Sequence, residues 1–188
     1  MVKELSDHDM LNKVNRGIGI FGGSFDPPHK GHVKISQIVL KKIRLKKIYW
    51  VVTKKNPFKK NPFFTLEERI FKSNLALGKL KEINVLYLDK KIKSSRTINV
   101  VNYFIKYKKQ KNLYLILGAD NLINFHKWTN WKKIVKLTKL VVLSRKGYDK
   151  KSKESIVVKY LTKKNIIFIN NKHINISSTF IKKNYFKN

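Results

Sequence analysis

Two histidines three residues apart, His29 and His32, stand directly behind a glycine turn and two prolines in the stretch IGIFGGSFDPPHKGH, residues 18–32. The apolar run that opens it ends in Gly22-Gly23, where backbone N–H groups can approach a ligand with no Cβ in the way. Pro27 and Pro28 exclude a central strand and place any helix start at Pro28 or later. A helix beginning there carries both imidazoles in its first turn and on one face, beside unpaired backbone donors whose dipole favours an anion. Gly22, Gly23, Ser24, Phe25 and Gly31 therefore read as a phosphate cradle, with His29 and His32 as the groups that meet the reacting phosphate. The rival readings are a glycine-rich turn with incidental histidines and a zinc site. Zinc is disfavoured, because the chain has no cysteine and no third ligand lies nearby in sequence.

Two further clusters have types and spacing suited to nucleotides. In GADNLINFHKWTNWKKI, residues 118–134, Asp120 falls where a strand meets a helix start and can accept hydrogen bonds from a ribose. Trp128 offers a flat face to a heteroaromatic ring. An N-capping aspartate and a core tryptophan are the plain alternatives, and Trp131 reads as packing. In ISSTFIKKN, residues 176–184, Ser177, Ser178 and Thr179 open a helix with Lys182 one turn in, a second place for an anion. Here the plain alternative is that Ser177 merely caps the helix. His126 and His173 read as surface or packing residues.

The elements that must hold these groups alternate along the chain. Strands are predicted at 18–21, 47–53, 83–88, 113–117, 140–143 and 166–169, several of them continuous apolar runs typical of strands buried on both faces. Helices are predicted at 31–42, from a Thr65–Glu68 capping box to about residue 77, at 97–107, at 120–137 with an interruption near 126–129, at 152–161 and at 177–185. Such alternation implies right-handed βαβ units: an α/β, Rossmann-like, doubly wound parallel sheet of about six strands with helices on both faces. Ligands of such sheets bind beyond the carboxyl ends of the strands, so the site residues should follow strands. Residues 1–15 read as an N-terminal extension, and 16–188 as a single domain.

Composition narrows the class further. The 188 residues suit one domain with a real core, and 42% hydrophobic content supports a globular fold. The absence of cysteine excludes disulfides. Residues 1–14 are too polar for a signal peptide and no apolar run approaches membrane-spanning length, so a cytoplasmic protein with no membrane partner is expected. The formal net charge of +32 alone would suggest a nucleic-acid partner. Yet only five of the 43 basic residues are arginine, alanine occurs only at Ala76 and Ala119, and lysine is dispersed. That pattern fits compositional bias rather than base readout, so nucleic acid is not the expected partner.

The first stretch resembles the GxFDPxHxGH signature of the nucleotidyltransferase superfamily, whose members move a nucleotidyl group from a nucleoside triphosphate onto a phosphate. Residues 118–134 resemble the GxD followed by a tryptophan of bacterial nicotinate-nucleotide adenylyltransferases, where the tryptophan stacks on a pyridine ring. Residues 176–182 look like the family's ISSTxIR motif, which holds the donor triphosphate. Lysine stands at Lys182 where arginine is usual, so a point charge replaces a bidentate fork. Asn56-Pro57-Phe58-Lys59 resembles a loop whose lysine contacts phosphate, which adds Lys59 to the catalytic set. Ser95-Arg96-Thr97 resembles a Ser-Tyr-Thr segment that contacts the mononucleotide, with Thr97 the transferable residue. Arg145-Lys146-Gly147-Tyr148 resembles Arg-Pro-Gly-Tyr without its proline, and adds Arg145 to the mononucleotide set.

The resemblance covers about residues 17–182. It implies transfer of the adenylyl group of ATP to nicotinate mononucleotide, giving nicotinate adenine dinucleotide and pyrophosphate on the route to NAD. It implies Mg²⁺ bound mainly through the ATP phosphates, with no dedicated metal ligands from the protein. Within the superfamily, nicotinamide mononucleotide or phosphopantetheine are alternative acceptors; outside it, a basic nucleic-acid-binding module is the alternative. The sequence admits a homo-oligomer without specifying one.

Overall fold

The structure is a computed structural model that describes residues 17–54, 61–161 and 165–170. The N-terminal extension, Lys59, and the segment expected as the final helix with Ser177, Ser178, Thr179 and Lys182 lie outside the described residues. Six strands, β1 (Ile18–Gly23), β2 (Lys47–Val52), β3 (Ile83–Tyr87), β4 (Leu113–Gly118), β5 (Lys139–Leu143) and β6 (Ile166–Ile169), form one parallel sheet in the order β3-β2-β1-β4-β5-β6. Because every strand runs the same way, all carboxyl ends share one edge of the sheet. The order reverses direction between β1 and β4, and a crevice opens where neighbouring crossovers leave to opposite faces.

Helices α1 (Lys30–Ile43) and α2 (Leu66–Leu77) cover one face. The core there is Ile48, Trp50, Val52, Val39, Ile43, Leu77, Tyr114, Ile116 and Val141. The other face packs α4 (Thr97–Lys106), α5 (Ala119–Ile123), α6 (Trp131–Leu137) and α8 (Ile156–Leu161) over Ile18, Ile20, Val51, Leu115, Leu117, Leu140 and Val142. Alternate residues of one strand thus feed opposite cores, which is why these strands read as unbroken apolar runs. Each fully buried side chain of this size contributes about 1.5–3 kcal/mol.

Two short helices went unforeseen in their bounds. Asp89–Ile92 forms α3, a single turn with no period to read. The helix expected at 152–161 is two: α7 (Asp149–Lys153) and α8, parted at Glu154 and Ser155. Ser152 Oγ there donates to Asp149 O at 2.7 Å, a side-chain bond that competes with continued helix. The interruption expected within 120–137 is present as a 3₁₀ turn, Phe125–Lys127, between α5 and α6. No helix among the described residues is long and apolar enough to cross a membrane.

Gly19 is fixed by close approach. A Cβ there would lie 2.8 Å from Ile116 Cδ1, 2.9 Å from Ile48 Cγ1 and 3.0 Å from Leu45 Cδ1, so the side chains of both flanking strands occupy its place. Gly19→Val should therefore lower stability by about 1–3 kcal/mol through overpacking. Urea unfolding measures it, and an unchanged midpoint would show that the β1 core has slack.

Candidate active site

The first turn of α1 lies at the carboxyl end of β1, beside the crevice between β1 and β4, and is closed by its own histidines. His29 is the N-cap residue in extended conformation, just outside the helix rather than within its first turn, and His32 is the third helical residue. The Gly31 N–H donates to His29 Nδ1 at 3.1 Å, and the His29 N–H donates to His32 Nδ1 at 3.2 Å. A reciprocal capping box usually joins Ser or Thr with Glu. Here two imidazoles make it. A ring nitrogen that accepts carries no proton, so each neutral ring holds its proton on Nε2 and keeps that N–H as a donor.

The pair is supported from below. The imidazole centroids are 3.9 Å apart, and His32 lies 5.1 Å from Phe25, 5.9 Å from Phe21 and 5.9 Å from Trp50. Phe25 stacks on Trp50 at 4.8 Å and is 2% exposed, so its ring is wall rather than ligand contact. What Phe25 can offer a ligand is its backbone. Trp50 Nε1 donates to Ser36 Oγ at 2.8 Å, and Ser36 Oγ donates to His32 O at 2.9 Å, tying the turn to the centre of the sheet. The Gly31 amide, expected to face phosphate, is engaged by His29 instead. Gly22 has nothing within 4 Å of a Cβ position, so space above the turn is open.

The β4 and β5 ends bring the second half of the site. Arg145, following β5, donates from Nη1 to Asp120 Oδ2, while its own N–H donates to Asp149 Oδ1 at 2.9 Å. Asp120 sits in the first turn of α5, whose N-cap is Gly118; no side chain caps that helix, so Asp120 is not a capping residue. Its Oδ1 is buried and has no hydrogen-bond partner among the described residues. A Cβ at Gly118 would stand 2.5 Å from that oxygen, so only glycine lets the carboxylate fold back here. Trp128 is half-buried, 4.7 Å from Phe125 and packed against the core on one side. Thr97 is the first residue of α4, half-buried, after exposed Arg96.

Arg145 also reaches His29 electrostatically. Burial, and then the positive charge of Arg145, push the His29 imidazole down to about 4. Of the expected site residues, the structure thus joins His29, His32 and Phe25 in one contact group and Asp120 with Arg145 in another, couples the two through the charge of Arg145 on His29, and places Thr97 and Trp128 after strands at the same edge of the sheet.

Three supporting residues were not among those expected. Asp26 is buried and accepts from the Phe63 and Phe64 N–H groups, both at 2.9 Å. Asp89 Oδ2 accepts from Thr53 Oγ1 at 3.1 Å and from the Lys54 N–H at 2.8 Å, fixing the end of β2. Arg69 on α2 is 1% exposed and touches the turn from behind. Asp26 lies inside the first motif and could have been flagged by position. Arg69 and Asp89 carry no local signal, because their partners are distant in sequence. Among the described residues no three His, Cys, Asp or Glu side chains converge as a metal site.

The cytidylyltransferase-like family model matches residues 20–184. A probable nicotinate-nucleotide adenylyltransferase of Pelagibacter ubique is 45% identical over 173 residues, 92% of this chain and 96% of that protein. The chain belongs to the nicotinate-nucleotide adenylyltransferase family. A probable member from Aquifex aeolicus is 34% identical over 85% of this chain and 98% of its own. Among solved structures, a Plasmodium falciparum nicotinic acid mononucleotide adenylyltransferase complexed with NaAD has a TM-score of 0.73 at 18% identity. That alignment covers 90% of this chain and 83% of the other, and shows that the fold is shared.

The histidine cap makes stability pH-dependent with a definite sign. Between pH 6.5 and about 4 the unfolded chain takes up a proton at residue 29 that the folded chain does not, so stability falls as pH drops through that window. His29→Asn keeps a good cap without titrating there. Urea midpoints measured across the window should decline less steeply for the variant, and parallel declines would assign the acid sensitivity elsewhere.

Proposed function

We propose that this protein transfers the adenylyl group of ATP to nicotinate mononucleotide, forming nicotinate adenine dinucleotide and pyrophosphate in NAD biosynthesis. The observation that carries the reading is the pair of imidazoles capping α1 at the carboxyl end of β1, whose accepting Nδ1 atoms leave the ring proton on Nε2, in a chain so similar to proteins named for that reaction. A phosphate oxygen of the mononucleotide attacks the α-phosphorus of ATP, and the bond to the bridging oxygen of pyrophosphate breaks. The attacking phosphate has a second pKa of about 6 by analogy with other phosphate monoesters, so it is already ionised near neutral pH. No general base is needed, and the capped histidines are poor candidates for one, since their Nδ1 lone pairs are in use.

Catalysis in this reading is alignment plus donors placed where negative charge develops. His29, His32 and Lys59 meet the reacting phosphates. Ser24 and the backbone of Gly22, Gly23 and Phe25 line the near side, and Ser177, Ser178, Thr179 and Lys182 hold the triphosphate. Asp120 accepts from a ribose hydroxyl, exchanging its contact with Arg145 or sharing it, and the exposed side of Trp128 stacks on the pyridine ring beside Thr97. Mg²⁺, when bound, neutralises the departing pyrophosphate and is held through the ATP phosphates; the donor set of the described residues suits that mode, offering carboxylates singly rather than clustered.

Pyrophosphate release with ATP and Mg²⁺, offered nicotinate mononucleotide, nicotinamide mononucleotide and phosphopantetheine in parallel, tests the proposal. Preference for the nicotinate acceptor is expected. Preference for another would retain the phosphate chemistry and remove Trp128 from its role. Release with none, together with salt-sensitive retention on DNA, would favour a nucleic-acid-binding module. His32→Ala should reduce kcat by about a hundredfold or more, as expected for loss of one transition-state donor. Trp128→Ala should raise KM for the mononucleotide while sparing that for ATP, and equal effects on both would indicate packing.

A further inference from the structure

The turn after β1 is held by a buried guanidinium that the proposed chemistry does not use. Arg69 Nη1 donates to Ser24 O and to Thr53 O, both at 2.8 Å, and Nη2 donates to Lys54 O at 3.1 Å. Nε–H is shared between Phe64 O and Thr65 O, both at 3.2 Å. These carbonyls belong to three separate segments: the phosphate turn, the end of β2 and the start of α2. Asp26 closes the circuit, since its carboxylate takes the Phe63 and Phe64 N–H groups while the Phe64 carbonyl takes Arg69.

The Ser24 contact has a directional consequence. In a trans peptide the C=O and the following N–H point to opposite sides. With Ser24 O drawn onto Arg69, the Phe25 N–H must face away from the buried guanidinium. Phe25 takes φ +46°, and no described residue accepts from that N–H. An amide without a partner among the described residues, in the turn that leads to His29 and His32, is suited to donate to an anion.

We propose that Arg69 is a positioning residue that aims the Phe25 amide at the phosphate received by His29 and His32, and locks that aim to the end of β2. This rests on the adenylyl-transfer reading of the site. Lysine cannot substitute, because one ammonium cannot satisfy carbonyls on three segments in the planar fork that Arg69 uses.

The test is Arg69→Lys, assayed per folded molecule. Its kcat should fall about tenfold to a hundredfold, the scale of a small misplacement of reacting groups, with weaker ATP binding by calorimetry. KM for nicotinate mononucleotide should stay within about threefold, since its proposed contacts follow β3, β4 and β5. A folded variant with wild-type kcat overturns the proposal, as does a loss confined to mononucleotide KM. Should the variant not fold, the wild-type chain decides: its Phe25 amide resonance should move on saturation with ATP, and an unmoved resonance overturns the proposal. If the wild-type chain turns over no acceptor, the adenylyl reading fails alone, because ATP affinity and the Phe25 resonance still report on Arg69.

Discussion

The first turn of α1 has more N–H groups than a helix can pair, and two imidazoles take the N–H groups of His29 and Gly31. Fold and chemistry share the same atoms here. The Nδ1 lone pairs that stabilise the helix start are the ones that fix the tautomers, and the tautomers put the ring proton of each on Nε2. An aspartate could cap this helix as well, yet its carboxylate would leave no donor behind. Burial and the charge of Arg145 keep His29 uncharged near neutral pH, so that ring can donate without adding a cation to the turn.

Around that turn, two kinds of support divide the work. Trp50, Ser36 and the aromatic wall hold the helix start against the sheet through packing and one hydrogen-bond relay. Arg69, Asp26 and Asp89 hold the neighbouring loops through ionised groups whose contacts here are mostly backbone. Charged groups removed from water need such partners, because an unpaired buried guanidinium would cost several kcal/mol; Asp89 keeps one buried oxygen, Oδ1, without a hydrogen-bond partner among the described residues. The Arg145–Asp120 pair differs: it is half-exposed on the arginine side, where solvent screens it.

Much of this was legible in the chain. Strands such as Leu113–Gly118 declare themselves because burial on both faces demands an unbroken apolar run, and Thr65 with Glu68 announces the start of α2. The site motifs were readable because prolines and glycines constrain the backbone locally. What sequence could not reveal was everything set by distant neighbours. Gly19 looks like any strand glycine until Ile48 and Ile116 are seen to fill its space. Arg69 looks like a surface residue of an amphipathic helix until three loops converge on it. The histidine pair was visible, but its mutual capping was not, since serine and glutamate are the usual signal.

The pairing of β1 with β4 places Ile18 beside Leu113, so two halves of the site that are far apart along the chain meet only when that long loop closes. β1 and β2 can associate much earlier, since only α1 separates them. Closing a long loop is entropically costly and slow compared with local pairing. During synthesis the histidine turn can therefore form before Asp120 and Arg145 exist to face it. The crevice is complete only once the β1–β4 seam has formed. Competence to bind a nucleotide thus reports on the least local contact in the sheet.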